Sequence, residues 1–331
     1  MKQELFERAE NFVQNGQAVS DAYFLEDSRM TRVSAAIFLE GNKRVETQEI
    51  KAMKELLAEN TGIFSNFRGY VRLPIHCMLA NTRDPEYTLK QAIDAYNVFK
   101  DYFTFRTYLP IASVRMAMEK NPAQFRSIAQ RTKEIYKMLN KAHPFLTDES
   151  DELTCSILAS TDLSVEEAVE RTLEAYDTLK EYHFGILSSG DALFTIAQII
   201  AASKKDIPFC VQKVNAIYQK AKEDHHRFDS GYQLSIIVAL AILEEDIDSL
   251  LADIYDVDEY LSTQKHYGGL LGFSKPTRMT HAALIVASDR AKTFEGATVA
   301  IQATISAIIL ETIILASVVS TMSSTSSSGS K

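Results

Sequence analysis

Four groups of residues have side chains of the kind that chemistry requires. Asp224-His225-His226 spells the letters of a phosphoesterase metal motif. That chemistry needs the triplet at the end of a strand, with further aspartates gathered round two metal ions. Here it ends an amphipathic stretch of helical period, where cationic side chains suit the dipole and the last carbonyls. Helix-end histidines are therefore the reading. Adjacent helical residues also diverge, so a metal would need ligands from elsewhere. The same divergence argues against His76 and Cys77 as a base and nucleophile, and His76 and His281 read as satisfied core histidines. Gly268-Gly-Leu-Leu-Gly272 lacks the Lys-Ser/Thr of a phosphate-binding loop and follows no strand, so it reads as a flexible connection. Glu244-Glu-Asp-Ile-Asp248 reads as an acidic helix start, because a calcium loop needs its ligands at other spacings. No catalytic residue, metal site or cofactor is expected.

The elements that must position any site are helices, and they repeat. One kind of segment is short, apolar and alanine-rich, at 72–80, 108–117, 152–159, 192–201, 232–241 and 279–287. The closing alanines lie 37, 42, 42, 40 and 46 residues apart. The other kind is longer and amphipathic, with a recurrent tyrosine (Tyr96, Tyr136, Tyr176, Tyr218 and Tyr255) at spacings of 40, 40, 42 and 37. Two independent markers with one period are the signature of a helical-pair repeat in the HEAT/armadillo range. Over 164–183 the apolar positions follow one helix face, and Ser164 with Glu167 is placed as a capping box. Asp84-Pro85 and Asn121-Pro122 each set an N-cap before a first-turn proline. No stretch alternates with the period of a strand.

The expected fold is all-α, an α-solenoid-like array of about seven helical hairpins. A short helix leads a longer one at 29–60, 71–102, 107–142, 149–183, 189–227 and 230–264. A short helical segment at 1–14 precedes these, and a seventh short helix at 276–291 is expected to pair with a C-terminal one. Residues 1–322 are read as a single helical-repeat domain and 323–331 as a disordered Ser-rich tail.

The connections between hairpins are aromatic: Phe64, Phe67, Phe103, Phe105, Phe145, Phe184, Phe228 and Phe273. Each ring is expected to plug a gap between stacked units, where one hairpin cannot bury its own face. Stacking does not need the arginines beside them. Arg68, Arg72, Arg106 and Arg115 are therefore the candidates for binding, with Tyr108 and His76 from the short helices. The block Asn60-Thr-Gly-Ile-Phe-Ser-Asn-Phe-Arg-Gly69, the recurring AYxxLK helices and the length near 330 resemble an uncharacterised bacterial family, domain-of-unknown-function family 4003. The resemblance covers nearly the whole chain and implies no activity, cofactor or catalytic residue.

Charge and composition narrow the function classes. Forty-four acidic against thirty-five basic residues give a formal charge of −9, which repels a phosphate backbone and argues against nucleic-acid binding. Cys77, Cys155 and Cys210 lack metal-ligand spacing and fit reduced, buried thiols. The first residues mix acids with bases and hold no long apolar run, so no signal peptide is expected and the expected location is cytoplasmic.

One stretch breaks the pattern. Residues 297–319 carry a single charge, Glu311, and are apolar nearly all round, whereas a terminal repeat helix should show water a polar face. The stretch reads first as a helix buried against the hairpins, second as a surface for self-association, and third as a membrane anchor. Against the third, Glu311 would cost about 3 kcal/mol on insertion. The expected function is that of a soluble helical-repeat interaction or scaffold protein with a protein or peptide partner. The alternatives are a small-ligand binder or enzyme with a pocket on the inner helices, and a peripheral or tail-anchored membrane protein.

Overall fold

A computed structural model describes residues 1–182, 184, 190–228, 231–243, 245–268, 272–291, 298–309 and 312. The described residues are helical and contain no strand. In chain order the helices are α1 (Gln3–Ala22), α2 (Ser28–Ala35, continued by a 3₁₀ turn at Ala36–Leu39), α3 (Thr47–Asn60), α4 (Arg72–Ala80), α5 (Pro85–Phe99), α6 (Leu109–Glu119) and α7 (Phe125–Ala142). There follow α8 (Asp151–Ala159), α9 (Val165–Lys180), α10 (Gly190–Ser203), α11 (Ile207–Glu223), α12 (Gly231–Ile242), α13 (Ile247–Ser262) and α14 (Lys275–Arg290). A fifteenth helix, α15, occupies 298–309.

Local chemistry starts these helices where the residues predict. The Asp84 carboxylate accepts the Tyr87 N–H at 2.9 Å with Pro85 in the first turn, and Ser164 and Glu167 form the expected capping box. Asp206 and Asp246 cap α11 and α13 in the same way, which accounts for the acidic run before α13. The odd-numbered helices from α1 to α13 bury one stripe; in α7 it is Phe125, Ile128, Ala129, Thr132, Ile135 and Leu139. The even-numbered ones are buried over most of their circumference, and every residue of α8 is buried.

Each long helix packs most extensively on the short helix that follows it, α1 on α2 through α13 on α14. The pairing is therefore shifted by one helix from the short-then-long pairs expected, and α1 is a full member, not a short leader. The short helices also pack in succession, α2 on α4 through α12 on α14, and so do the long ones, α1 on α3 through α11 on α13. The two rows then close. Helix α1 packs on α13 and α14, and α14 packs on the 3₁₀ turn after α2. The result is two nested rings of seven helices, short inside and long outside.

Buried arginines of the first pair seal the closure. Arg8 donates from Nη1 to the Leu39 carbonyl at 2.5 Å and from Nε to Asp289 at 3.3 Å. Phe12 of α1 packs edge-on against His281 of α14, with ring centres 5.5 Å apart.

Helix α15 accounts for residues 298–309 of the apolar stretch. It bonds to opposite sides of the inner ring: Thr304 donates to the Ser235 carbonyl of α12 at 3.2 Å, and Arg115 of α6 donates to the Gln302 carbonyl at 3.0 Å. Gln302 also donates to Glu40, which follows the 3₁₀ turn, at 2.8 Å. A helix in the middle of a ring has apolar neighbours on every side, and Ala300, Ile301, Ala303, Ile305, Ala307, Ile308 and Ile309 are all buried. Each buried isoleucine contributes about 1.5–3 kcal/mol. Helix α15 thus packs against the inner ring, and α14 has its most extensive packing with α13. Among the described residues, no helix is long and apolar enough to cross a membrane. Glu311, residues 313–319 and the Ser-rich 323–331 lie outside the described residues.

Candidate functional site

Because the inner helices run parallel, the turns within pairs gather at one end of the rings and those between pairs at the other. At the first end Asn66 donates to the Arg106 carbonyl of the next turn at 2.9 Å. At the other, Asn81 donates to the Ile37 carbonyl at 3.1 Å. Cations close this second end: Lys43 donates to the Ala80 carbonyl, Lys120 to Ser160, Arg171 to Ala201 and Lys213 to Leu243. Unpaired carbonyls at a helix C-terminus draw such donors. The device repeats although its donors differ, so no sequence motif reveals it.

The first end is where the surface departs from ordinary. Four successive turns expose large apolar side chains: Phe24 and Leu25, then Ile63, Phe64 and Tyr70, then Phe105, then Phe145. Phe64 is 94% exposed and Phe145 96%. In the same turns Phe67 and Phe103 are buried, as are Phe184 and Phe228 farther round. The plugging role expected of every ring thus holds for one set and fails for Phe64, Phe105 and Phe145. The reason is geometric. Phe67 packs on Tyr96 (5.2 Å between centres), Phe103 on Tyr136 (5.9 Å) and Phe184 on Tyr218 (5.7 Å). The recurrent tyrosine of the next long helix receives one ring from each of these turns, and a second ring has no such receptor.

The candidate binding residues do not converge. Arg68 closes the end of α3, donating to Thr61 Oγ1 at 2.9 Å and to the Ala58 carbonyl. Arg72 pairs with Glu26. Arg106 is exposed at the first end. Arg115 lies two helical turns along α6 from Tyr108 and is taken up by Gln302, Ser306 (2.8 Å) and Glu119 (2.8 Å). Tyr108 is buried at the start of α6, its hydroxyl pushed up to about 12 by burial and then by the charges of Glu149 and Asp148. His76 is buried and shares a hydrogen bond through Nδ1 with the Tyr23 hydroxyl, while its Nε2 has no partner among the described residues. Burial, then Arg72 and Lys54, push it down to about 3, so it is neutral.

A family profile described as a protein of unknown function, DUF4003, matches residues 17–318. The chain belongs to the DUF4003 family. The match runs from the last residues of α1 past α15 and so takes in α2 to α14 and the central helix. No curated protein and no solved structure matches the chain.

In this DUF4003 chain the other groups singled out from the sequence lie at a helix end and in a turn. Asp224 accepts from the Tyr255 hydroxyl at 3.1 Å, and the His226 ring stacks on Tyr255 at 3.9 Å. His225 adopts a positive φ of 59° just past the end of α11. Among the described residues, no group of three or more histidine, cysteine, aspartate or glutamate side chains is placed to hold a metal ion. Gly268 and Gly272 are needed where they stand, since a Cβ would lie 2.3 Å from the Ser262 carbonyl oxygen and 2.5 Å from that of Gly268. Positions 269–271 between them lie outside the described residues, as do His183 and Glu244.

One polar cluster escaped the reading of the residues. Asp151 and Glu152 open α8 and are both buried. Asp151 accepts the Gln198 amide of α10 at 2.7 Å and the Asp148 N–H at 2.9 Å. Glu152 Oε2 and Gln198 Oε1 have no partner among the described residues. Burial pushes Asp151 up to about 7 and Glu152 up to about 8. In the sequence this pair is indistinguishable from an exposed acidic helix start, and only packing shows otherwise.

Proposed function

We propose that this DUF4003 chain is a soluble, cytoplasmic helical-repeat protein of the solenoid kind, closed on itself, that serves as an interaction or scaffold protein. The observation that supports the reading is the row of apolar side chains on four successive turns at one end of the rings, from Phe24 to Phe145. Rings left exposed in a row mark contact surfaces, and aromatic residues are enriched where proteins meet. The occupant is a folded protein surface or peptide, and phenylalanine rings supply the anchors. Arg106 stands beside Phe105 as an exposed cation on the same face.

Photo-crosslinking from positions 64 and 145, with Met138 on the outside of α7 as the control position, tests the reading. One and the same partner should be captured from both turns and not from 138, and the triple change Phe64→Ser, Phe105→Ser, Phe145→Ser should abolish capture. Equal capture from all three positions, or full capture by the triple variant, removes it.

Ligand binding is less well supported. The gap beside α15, lined by Met78, Ile111, Arg115 and Ile305, encloses about 60 Å³, whereas organic ligands occupy roughly 300–1,000 Å³. The larger hollow of about 350 Å³ between α3 and α5 is an open surface groove walled by Asp84, Glu86, Lys90 and Asp94.

A further inference from the structure

At one place the ring is joined by no connecting turn. There α14 meets α1 and the 3₁₀ turn at Ala36–Leu39, whereas neighbouring pairs elsewhere are consecutive in the chain. The 3₁₀ turn stands at the centre of this seam. All four of its residues are buried, and it packs on α1, α4 and α14. The last carbonyls of a helix have no partner within it. Here three in succession are taken by different parts of the fold. Asn81 of α4 donates to the Ile37 carbonyl at 3.1 Å, the Lys43 N–H to that of Phe38 at 3.1 Å, and Arg8 of α1 to that of Leu39 at 2.5 Å.

Arg8 is buried and reaches across the seam. Its Nε donates to Asp289 at 3.3 Å and its Nη1 to Ser288 Oγ at 3.4 Å, both in the last turn of α14. A guanidinium taken out of water needs such partners. One side chain therefore holds both α14 and the 3₁₀ turn to α1.

The other side of the turn meets the central helix. The Leu39 carbonyl and the Glu40 nitrogen belong to one planar peptide unit, so neither shifts without the other. The Glu40 carboxylate accepts from the Gln302 amide of α15 at 2.8 Å, and the Gln302 carbonyl is held by Arg115 at 3.0 Å. Ile37, Ile305 and Ile309 line the gap of about 60 Å³ beside this bond. A series of bonds thus runs from Asp289 through Arg8, Leu39 and Glu40 to α15.

We propose that the segment 36–40 is a keystone that couples closure of the ring to the seating of α15, so that the seam opens and α15 leaves its place in one step. With α15 seated, Glu40 is held, and its peptide unit presents the Leu39 carbonyl to Arg8. With the seam closed, Arg8 holds that peptide unit, and Glu40 is presented to Gln302. Each contact favours the other, and such a coupling acts equally in both directions. The apolar interior of the ring is open only in a state that has released α15.

Hydrogen exchange on the full chain tests the coupling. Arg8→Met keeps the packing of the stem and removes the donors. It should speed exchange about tenfold over 298–309 as well as in α1 and α14, and leave α7 and α9 across the ring unchanged. Glu40→Ala, made at an exposed side chain, should speed exchange in α1 and α14 as well as over 298–309. Phe67→Ala, which removes a ring from Tyr96 away from the seam, controls for a general loss of stability and should not single out these three helices. Unchanged protection over 298–309 in Arg8→Met overturns the proposal, as does unchanged protection of α1 and α14 in Glu40→Ala. The same pattern in Phe67→Ala overturns it too. If Arg8→Met does not fold, the Glu40→Ala result decides alone.

Discussion

Arg115 of α6 donates through Nη1 to the backbone carbonyl of Gln302 in α15 at 3.0 Å, and through the same nitrogen to Ser306 Oγ one turn later. A residue of the inner ring thus holds the central helix by its backbone. Replacing Arg115 with methionine keeps the packing of the stem and removes the donors. The change should destabilise the chain by about 1–3 kcal/mol. It should also speed hydrogen exchange over 298–309 more than in α5 or α9. Equal protection in α15 before and after the change would mean that apolar burial alone seats this helix.

The packing of α1 on α2 depends on a missing side chain. A Cβ at Gly16 would lie 2.2 Å from Arg32 Nη1 and 2.7 Å from its Cδ. Arg32 is buried, with Nη1 donating to the Val13 carbonyl, so it has nowhere to retreat. Gly16→Ala should therefore cost about 1–3 kcal/mol by overpacking. In an Arg32→Ala background the same change should cost much less, which thermal melts of the four members of a double-mutant cycle would read.

Stability should depend on pH through two opposed sets of groups. His76 and His281 are pushed down to about 3 by burial, so the unfolded chain binds protons there and the folded chain does not. Their contribution is present above about pH 6.5 and is lost as pH falls. Asp151 and Glu152 have the opposite sign: raised in the folded chain, they stabilise most below about pH 4, and that stability is lost as pH rises through their folded values of about 7 and 8. The two sets oppose one another between about pH 4.5 and 6.5 and leave a decline on the alkaline side. In Asp151→Asn, Glu152→Gln that decline should shrink. Stability should then rise with pH below 6.5, by about 1.4 kcal/mol per unit for each histidine. Urea midpoints from pH 4.5 to 9 would show it.

The two classes of phenylalanine should behave oppositely on substitution. Phe67→Ala and Phe103→Ala each open a cavity against a tyrosine and should cost about 3–5 kcal/mol. Phe64→Ser and Phe145→Ser remove exposed rings and should move stability by no more than about 0.5 kcal/mol. Equal losses in both classes, read from denaturation midpoints, would place the exposed rings in contacts the structure does not contain.

Much of this architecture is local and therefore legible in the residues. Capping boxes, first-turn prolines and the three-to-four spacing of apolar positions act within one helix, so the all-α content and the caps at Asp84 and Ser164 follow directly from the chain. The recurrence of Tyr96, Tyr136 and Tyr218 near a period of 40 marked the places where stacking is specified, and each receives a ring of the turn before it. The apolar circumference of 298–309 likewise stated that this helix must be surrounded.

What surrounds it was decided only in three dimensions. A period says how long each unit is but not how far each rotates against the last, so the meeting of α1 with α13 and α14 is not written in any spacing. The same holds for the side chains. Arg68 and Arg115 looked free because their acceptors are backbone carbonyls, which every sequence possesses and none advertises. Asp151 and Glu152 looked like a solvated cap because burial is a property of neighbours, not of the residue. Composition set the helices and the need for an enclosed core. Closure of the ring determined which arginines are spent, which rings are exposed, and which acids hold a proton.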